Sequence, residues 1–365
     1  MDSATTAKII NANNKKPIGV IGKMGSGRGH VFRNILRGLL EQSSSRKTRF
    51  VVYDSASPTF KKWPQKDSEV IIVSPGDPRS VFWNLADDLR KQSFRDLFMN
   101  ALVPSLFPET KDPFLLQHFK HILDWVLTEC DQKPSWGWTD LWNALAAFKE
   151  KYTENMKPIQ SVAIGDMVFS VEKIFKDFDK RTPETQVFSL TDWYANDSLP
   201  KTLLLGSRGT CDPGLSAFFH AFLSLVPAMS KQDVSESETW VFAERPNYNP
   251  GVPGMVNALA PYKECDGRTR LVVGFDDFDG YARETAGLGI EDYWKKFDGL
   301  EDFSFVVFTT FSSMKGLQKI HTRFDYDKLG IAREGIRSLV VEPEAFSKET
   351  TWPFIDFSEL SLSIG

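Results

Sequence analysis

The chain has 365 residues, with 44 Lys and Arg against 48 Asp and Glu for a formal net charge of −4, so no global positive field recruits nucleic acid and any DNA contact must come from a local patch. Apolar residues make up 41% and charged residues 25%, the balance of a globular chain long enough for one large or two ordinary domains. Cys130, Cys211 and Cys265 fit neither a disulfide framework nor a zinc spacing, which points to a reducing cytoplasm, and neither a membrane span of ~18 to 20 apolar residues nor a signal peptide is present.

After a polar lead over residues 1–16, Ile18 to Ile21 reads as a short buried strand. Gly22, Gly25, Gly27 and Gly29 then make a tight turn, and Val31, Ile35, Leu36, Leu39 and Leu40 recur at helical spacing. Such a strand, loop and helix exposes backbone N–H groups at a helix N-terminus, where the helix dipole also favours negative charge, and so suits phosphate. The structural alternative is a βα turn that needs φ > 0 at several positions.

The separation of Gly22 and Gly27 fits the P-loop pattern G-x-x-x-x-G-K-[ST], in which the lysine reaches the β- and γ-phosphates and the hydroxyl holds Mg²⁺. Arg28 occupies the lysine position and Gly29 the hydroxyl position. Arginine keeps the charge on a larger, planar fork, and glycine offers a metal no side chain. The candidate nucleotide-binding residues are therefore Gly22, Gly25, Ser26, Gly27, Arg28, Gly29 and His30, the last equally readable as a solvated first-turn residue. A dinucleotide fold is the rival, because the second strand ends at Asp54, where a ribose-binding acid would sit. Its G-x-G-x-x-G pattern fails in both registers, on Met24 and on His30.

Arg49 to Tyr53 and Glu69 to Val73 read as the second and third strands, in the rhythm of a parallel α/β sheet. Pro75, Gly76 and Pro78 punctuate the turn that follows, and Leu85 to Leu102 reads as one helix. Between 107 and 185 only amphipathic helices are expected, over Pro113 to Cys130, Thr139 to Lys151 and Gly165 to Phe178. His118 and His121 share one helix, but no further ligand stands at a recognised spacing, so no metal site is expected; Trp136 and Trp138 read as packing. Strands resume at Thr202 to Leu205, Thr239 to Phe242, Arg270 to Val273, Phe305 to Phe308 and Ser338 to Val341, with an apolar helix from Leu215 to Met229.

Several of these pieces together resemble the TraD-type coupling ATPases of conjugation and type IV secretion. The glycine loop followed by VFRNIL, the strand end VVYD at Asp54, and Pro75 to Asn84 (PGDPRSVFWN) are similar to that family's segments. So are FSLTDW at Phe188 to Trp193, LLLGSR at Leu203 to Arg208, and AFLSLVPAMS before the next strand. The resemblance implies an α/β fold with a RecA-like P-loop NTPase core, a central, mostly parallel sheet and an inserted all-helical subdomain. The expected division is a nucleotide-binding core over 17–106 and 186–365 and an all-α insert over 107–185. It also implies ATP, DNA, type IV secretion or conjugation partners, and homo- or hetero-oligomers in which Arg208 faces a neighbour's nucleotide. The family's N-terminal membrane anchor has no counterpart before the glycine loop. The expectation is therefore a cytoplasmic protein with no direct membrane span, peripheral to the bacterial inner membrane through its partners.

The departures from the family fall on catalytic positions. The strand that ends Asp-Glu in the family here ends Ala243-Glu244, which removes the carboxylate that orients the Mg²⁺ shell and leaves Glu244 as the candidate water-activating residue. Asp276 stands where a glutamine follows Gly-Phe, and Tyr262-Lys263-Glu264 replaces a Gly-Arg-Lys segment. A single lost charge-stabilising element typically costs about 10² or more in rate. The sequence reading is thus a degenerate coupling-protein-like subunit that holds nucleotide with little hydrolysis and has no strong Mg²⁺ ligands. An active, divergent DNA-translocating ATPase is the alternative, and a dinucleotide-binding oxidoreductase is the weaker one.

Overall fold

The computed structural model describes residues 18–21, 48–54, 70–74, 77, 79–107, 110, 112–152, 161–162, 164–165, 168–169, 172, 186–206, 213–233, 237–244, 257–264, 269–275, 305–311 and 337–340. The chain divides into two compact units, one of Met1–Val52, Ser237–Tyr248 and Asp266–Gly365, the other of Tyr53–Glu236 and Asn249–Cys265. The helices of the expected 107–185 insert lie within the second unit.

The first unit is built on parallel strands. β1 (Ile18–Ile21) pairs with β9 (Phe305–Phe311) on one side and β10 (Arg337–Val340) on the other, and β8 (Thr269–Phe275) joins β9 to β7 (Glu238–Glu244), every pair parallel. Val241, Phe242 and Ala243 are wholly buried, as near-continuous apolar runs must be in a sheet covered on both faces. Strand β2 (Thr48–Asp54) carries the buried run Phe50, Val51, Val52 and Tyr53. Boundaries expected from the sequence agree within about three residues, because apolar β-branched runs flanked by turn residues leave little freedom.

In the second unit β3 (Val70–Val73) and β6 (Thr202–Gly206) pair in parallel, with Val73 opposite Leu205. A two-stranded parallel ladder, not expected from the sequence, joins β4 (Phe82–Trp83) to β5 (Val187–Phe188). Its flanks are held by Phe82 N–H donating to the Gln186 carbonyl and Asn84 N–H to the Phe188 carbonyl, both at 2.8 Å. The chain therefore enters and leaves the helical region side by side. Trp83 is fully buried here, with ring centroids 4.8 Å from Phe222, 5.3 Å from Phe218, 6.1 Å from Trp138 and 6.4 Å from Phe98. Trp136 and Trp138 have no exposed surface, as the packing reading required.

The single helix expected from Leu85 to Leu102 is instead two, α1 (Leu85–Asp88) and α2 (Gln92–Leu106). The break has a cause: Arg95 Nε donates to the Leu89 carbonyl at 2.8 Å, which diverts that carbonyl from a continuing helix. Next come α3 (Pro113–Cys130), α4 (Trp138–Tyr152) and helical residues at 161–162, 164–165, 168–169 and 172. The Asp112 carboxylate accepts from Phe114 N–H at 2.9 Å with Pro113 at the first turn, which starts α3 as a capped helix should start. α5 (Leu190–Ala195) is short, and α6 (Pro213–Ser230) is buried on nearly every face, its Ser216, His220 and Ser224 included, and makes its most extensive helix contact with α2.

Both long helices of that pair run through a proline, Pro104 in α2 and Pro227 in α6. Proline has no N–H, so the carbonyl four residues earlier is left without its helical donor. Those carbonyls belong to Asn100 and Leu223. Asn257 Nδ2 donates to the Asn100 carbonyl at 3.0 Å, and the Tyr262 hydroxyl to the Leu223 carbonyl at 3.0 Å. Two helix defects thereby become the attachment points of residues 257–264, where the 3₁₀ turn Ala260–Glu264 lies.

Candidate functional site: strand ends and a buried carboxylate

Ligands of open α/β sheets bind outside the carboxyl ends of the strands. In the first unit one row of the ladder runs Arg337, Ile18, Phe308, Gly274, Glu244, so the last residue of β7 is level with the first of β1. β1 continues three residues past that row, about 10 Å at strand rise, before the glycine segment; β7 stands three strand spacings away, about 14 Å. Ala243, next to Glu244, is fully buried. A methyl group offers a metal nothing, so the Ala243 side chain is no Mg²⁺ ligand, and a glycine at position 29 brings no side chain to one. The glycine segment with Arg28 has the donor chemistry for phosphate: backbone amides and a fixed cation.

In the second unit the strand ends are tied together. The Ser74 hydroxyl donates to the carbonyl of Gly206, the last residue of β6, and Ser74 N–H donates to Ser80 Oγ at 2.9 Å. Within the same loop Asp77 takes Arg79 in a two-pronged pair, Nε at 3.0 Å and Nη2 at 2.9 Å, and also accepts Arg79 N–H at 2.9 Å. Ser74 therefore ties the loop to the last residue of β6, two residues before Arg208, while Asp77, Arg79 and Ser80 brace the loop from within.

Sequence reasoning passed over Asp88. Its carboxylate has no exposed surface and accepts four hydrogen bonds: Trp83 Nε1 at 2.7 Å, Leu190 N–H at 2.9 Å, and Thr191 N–H and Oγ1, each at 2.8 Å. Burial pushes this carboxyl above its ordinary 3.8, and the four donors oppose the shift. Asp88 locks the start of α5 to the entry strand, so the two segments that resemble the coupling family, around Asn84 and around Trp193, form one structural joint. The sequence signal was slight: an Asp-Asp pair four and five residues after a tryptophan. Arg95, also buried, pairs with Asp131 and completes the same corner.

Gly22, Gly25, Ser26, Gly27, Arg28, Gly29, His30 and Arg208 lie outside the described residues, as does Asp276. Glu244 is placed through its backbone at the end of β7. Tyr262 proves to be a buried helix anchor, and Arg90 an exposed partner of Asp87 at 3.3 Å. Burial pushes the Cys130 thiol up to about 12, which makes it inert. Among the described residues no group of three or more His, Cys, Asp or Glu could hold a metal ion, and no helix is long and apolar enough to cross a membrane.

Parallel strands, a glycine-rich segment after the first of them in sequence, and strands alternating with helices along the chain are the pattern of an α/β protein of the P-loop class. The profile of the family described as the type IV secretion-system coupling protein DNA-binding domain matches residues 3–245, and the chain belongs to that family. Two solved forms of the bacterial conjugative coupling protein TrwBdeltaN70 share the fold at 14% identity. The trigonal form in complex with sulphate has a TM-score of 0.51 over 93% of this chain and 77% of its own, and the unbound monoclinic form 0.54 over 82% and 75%. TrwB in complex with ADP and Mg²⁺ superposes at 0.48, again at 14% identity, over 92% of this chain and 73% of its own. No curated protein sequence matches. The fold is thus the RecA-like P-loop α/β fold with a mostly parallel sheet, shared with these conjugative coupling proteins, in a member of the type IV secretion-system coupling-protein family.

Proposed function

We propose that this coupling protein holds a nucleotide through Gly22, Gly25, Ser26, Gly27, Arg28, Gly29 and His30 but hydrolyses it slowly. It would act as a recruiting or structural subunit of a DNA-transfer or secretion machine. The observation that carries this reading is the fully buried Ala243 at the end of β7, paired in sequence with Gly29 at the P-loop hydroxyl position. Both customary protein contacts to Mg²⁺ are gone together, so the metal would be held through the nucleotide's own phosphates. Phosphoryl transfer relies on positioning and charge neutralisation, and Arg28 alone supplies a fixed cation in place of the lysine. Arg208 reaches a neighbouring subunit's nucleotide in an oligomer, and DNA contacts come from local Lys and Arg clusters. The protein works on the cytoplasmic side.

An active translocating motor is the second reading, favoured by Glu244 at the strand end, where a water-activating carboxylate belongs. Turnover of ATP with Mg²⁺ and DNA separates the two: the expected rate is far below ~1 s⁻¹, and a rate at or above that ordinary enzymatic value sinks the proposal. In a parallel binding assay Arg28→Ala weakens a fluorescent ATP analogue at least about tenfold while leaving the unfolding midpoint unchanged. Filter binding at low salt that finds no affinity for single- or double-stranded DNA removes the DNA role and leaves protein recruitment.

A further inference from the structure

We propose that the cavity between α2, α3, the end of α6 and residues 257–261 is a binding site for a phosphate group, separate from the glycine loop. The cavity measures about 350 Å³, and its lining includes Leu97, Asn100, Lys120, Lys231, Asn257 and Pro261. Its polar groups are unbalanced. The Lys120 ammonium gives one hydrogen bond, to Asn100 Oδ1 at 2.7 Å, and Asn257 Nδ2 is used on the Asn100 carbonyl that Pro104 left free. That leaves two N–H of Lys120, three of Lys231 and the Asn100 carboxamide nitrogen with no partner among the described residues, and no described carboxylate lines the cavity. Donors in excess, two of them cationic, call for an anion with several acceptor oxygens.

The geometry is built rather than incidental. Lys120 is held in place by Asn100, the Asn100 backbone by Asn257, and Asn257 by the carbonyl that a proline at that helix position releases. Burial lowers the pKa of Lys120, as expected for an ammonium partly withdrawn from water with no counter-charge beside it. Lys231 follows the last residue of α6, where the helix dipole favours a cation, and that interaction leaves its three N–H bonds available. Apolar lining from Leu97 and Pro261 gives the rest of a phosphate-bearing molecule a surface to cover.

The test is a lysine footprint on the full chain. Acylation by an acetyl succinimidyl ester is followed by mass spectrometry with and without sodium pyrophosphate, at ionic strength matched with sodium chloride. Lys120 and Lys231 should be acylated about five-fold more slowly with pyrophosphate, while Lys201, which pairs with Asp197, keeps its rate. Lys120→Gln should lose the protection of Lys231 while the circular dichroism spectrum is unchanged. A twenty-residue thymidine oligonucleotide distinguishes the source of the phosphate. Protection at far lower concentration than pyrophosphate assigns the site to a nucleic-acid strand, and protection by pyrophosphate alone assigns it to a small free phosphate compound. Rates that fall equally at all three lysines, or do not fall, overturn the proposal.

Discussion

Two carboxylate positions, one in each compact unit, have gone opposite ways. In the second unit Asp88 sits without exposed surface under four donors from Trp83, Leu190 and Thr191, and it joins the strand that enters the helical region to the helix that leaves it. In the first unit the position where the resemblance calls for an aspartate is Ala243, buried against its neighbours with nothing to offer a metal. Both sites are closed to water. A buried carboxylate is tolerated where the backbone and side chains supply its hydrogen bonds, and without such partners or a cation it costs several kcal/mol. The joint in the second unit has a full set of polar partners for its carboxylate, and position 243 in the first unit carries no polar side chain.

Putting a carboxylate back is the most disruptive way to break this contrast. Ala243→Asp should lower unfolding free energy by about 3 kcal/mol or more in metal-free buffer, because position 243 has no exposed surface and a carboxylate placed there loses its water. Denaturant titration checks the loss, and an unchanged midpoint would mean that a cation or donor network still stands there.

Next in size is Asp88→Asn, expected to cost about 2 kcal/mol by turning one acceptor oxygen into a donor that faces donors. This substitution also tests the charge. Because burial raises the Asp88 pKa in the folded protein above 3.8, proton binding favours the fold. The linked stability is fully present below pH 3.8 and is lost as pH rises through the folded value. The difference in melting temperature between wild type and Asp88→Asn should therefore be larger at pH 4.5 than at pH 7.5. The reverse trend would show that the four donors outweigh burial and hold the carboxylate ionised.

The smallest effect concerns the proline defects. Tyr262→Phe should cost about 1 kcal/mol by leaving the Leu223 carbonyl unpaired, and Pro227→Ala gives that carbonyl a backbone donor again. In a double-mutant cycle the loss from Tyr262→Phe should shrink in the Pro227→Ala background; additive effects would detach Tyr262 from the helix defect.

Most strands were legible in the sequence because each is an apolar β-branched run closed by turn residues, and α3 was legible through its Asp112-Pro113 start and its spacing. The break at Leu89 was not, because it depends on Arg95 reaching back to a carbonyl. The ladder of β4 with β5 joins residues more than a hundred apart, and two-residue strands carry no periodicity. The helix expected from the sequence ended at Leu102, short of Pro104. The helix continues to Leu106 because a distant asparagine takes up the released carbonyl.

By itself the sequence determined the α/β class and raised the expectation of a phosphate-suited glycine loop with Gly29 and Ala243 at family-pattern positions, since these depend on which residue types occupy neighbouring positions. Only the tertiary structure decided that Asp88 is a buried joint rather than a surface charge and that Tyr262 is an anchor rather than a remnant of a basic segment. It also decided that Lys120 and Lys231 share one cavity. Burial and hydrogen-bond partners are properties of residues brought together from far along the chain, and no local pattern encodes them.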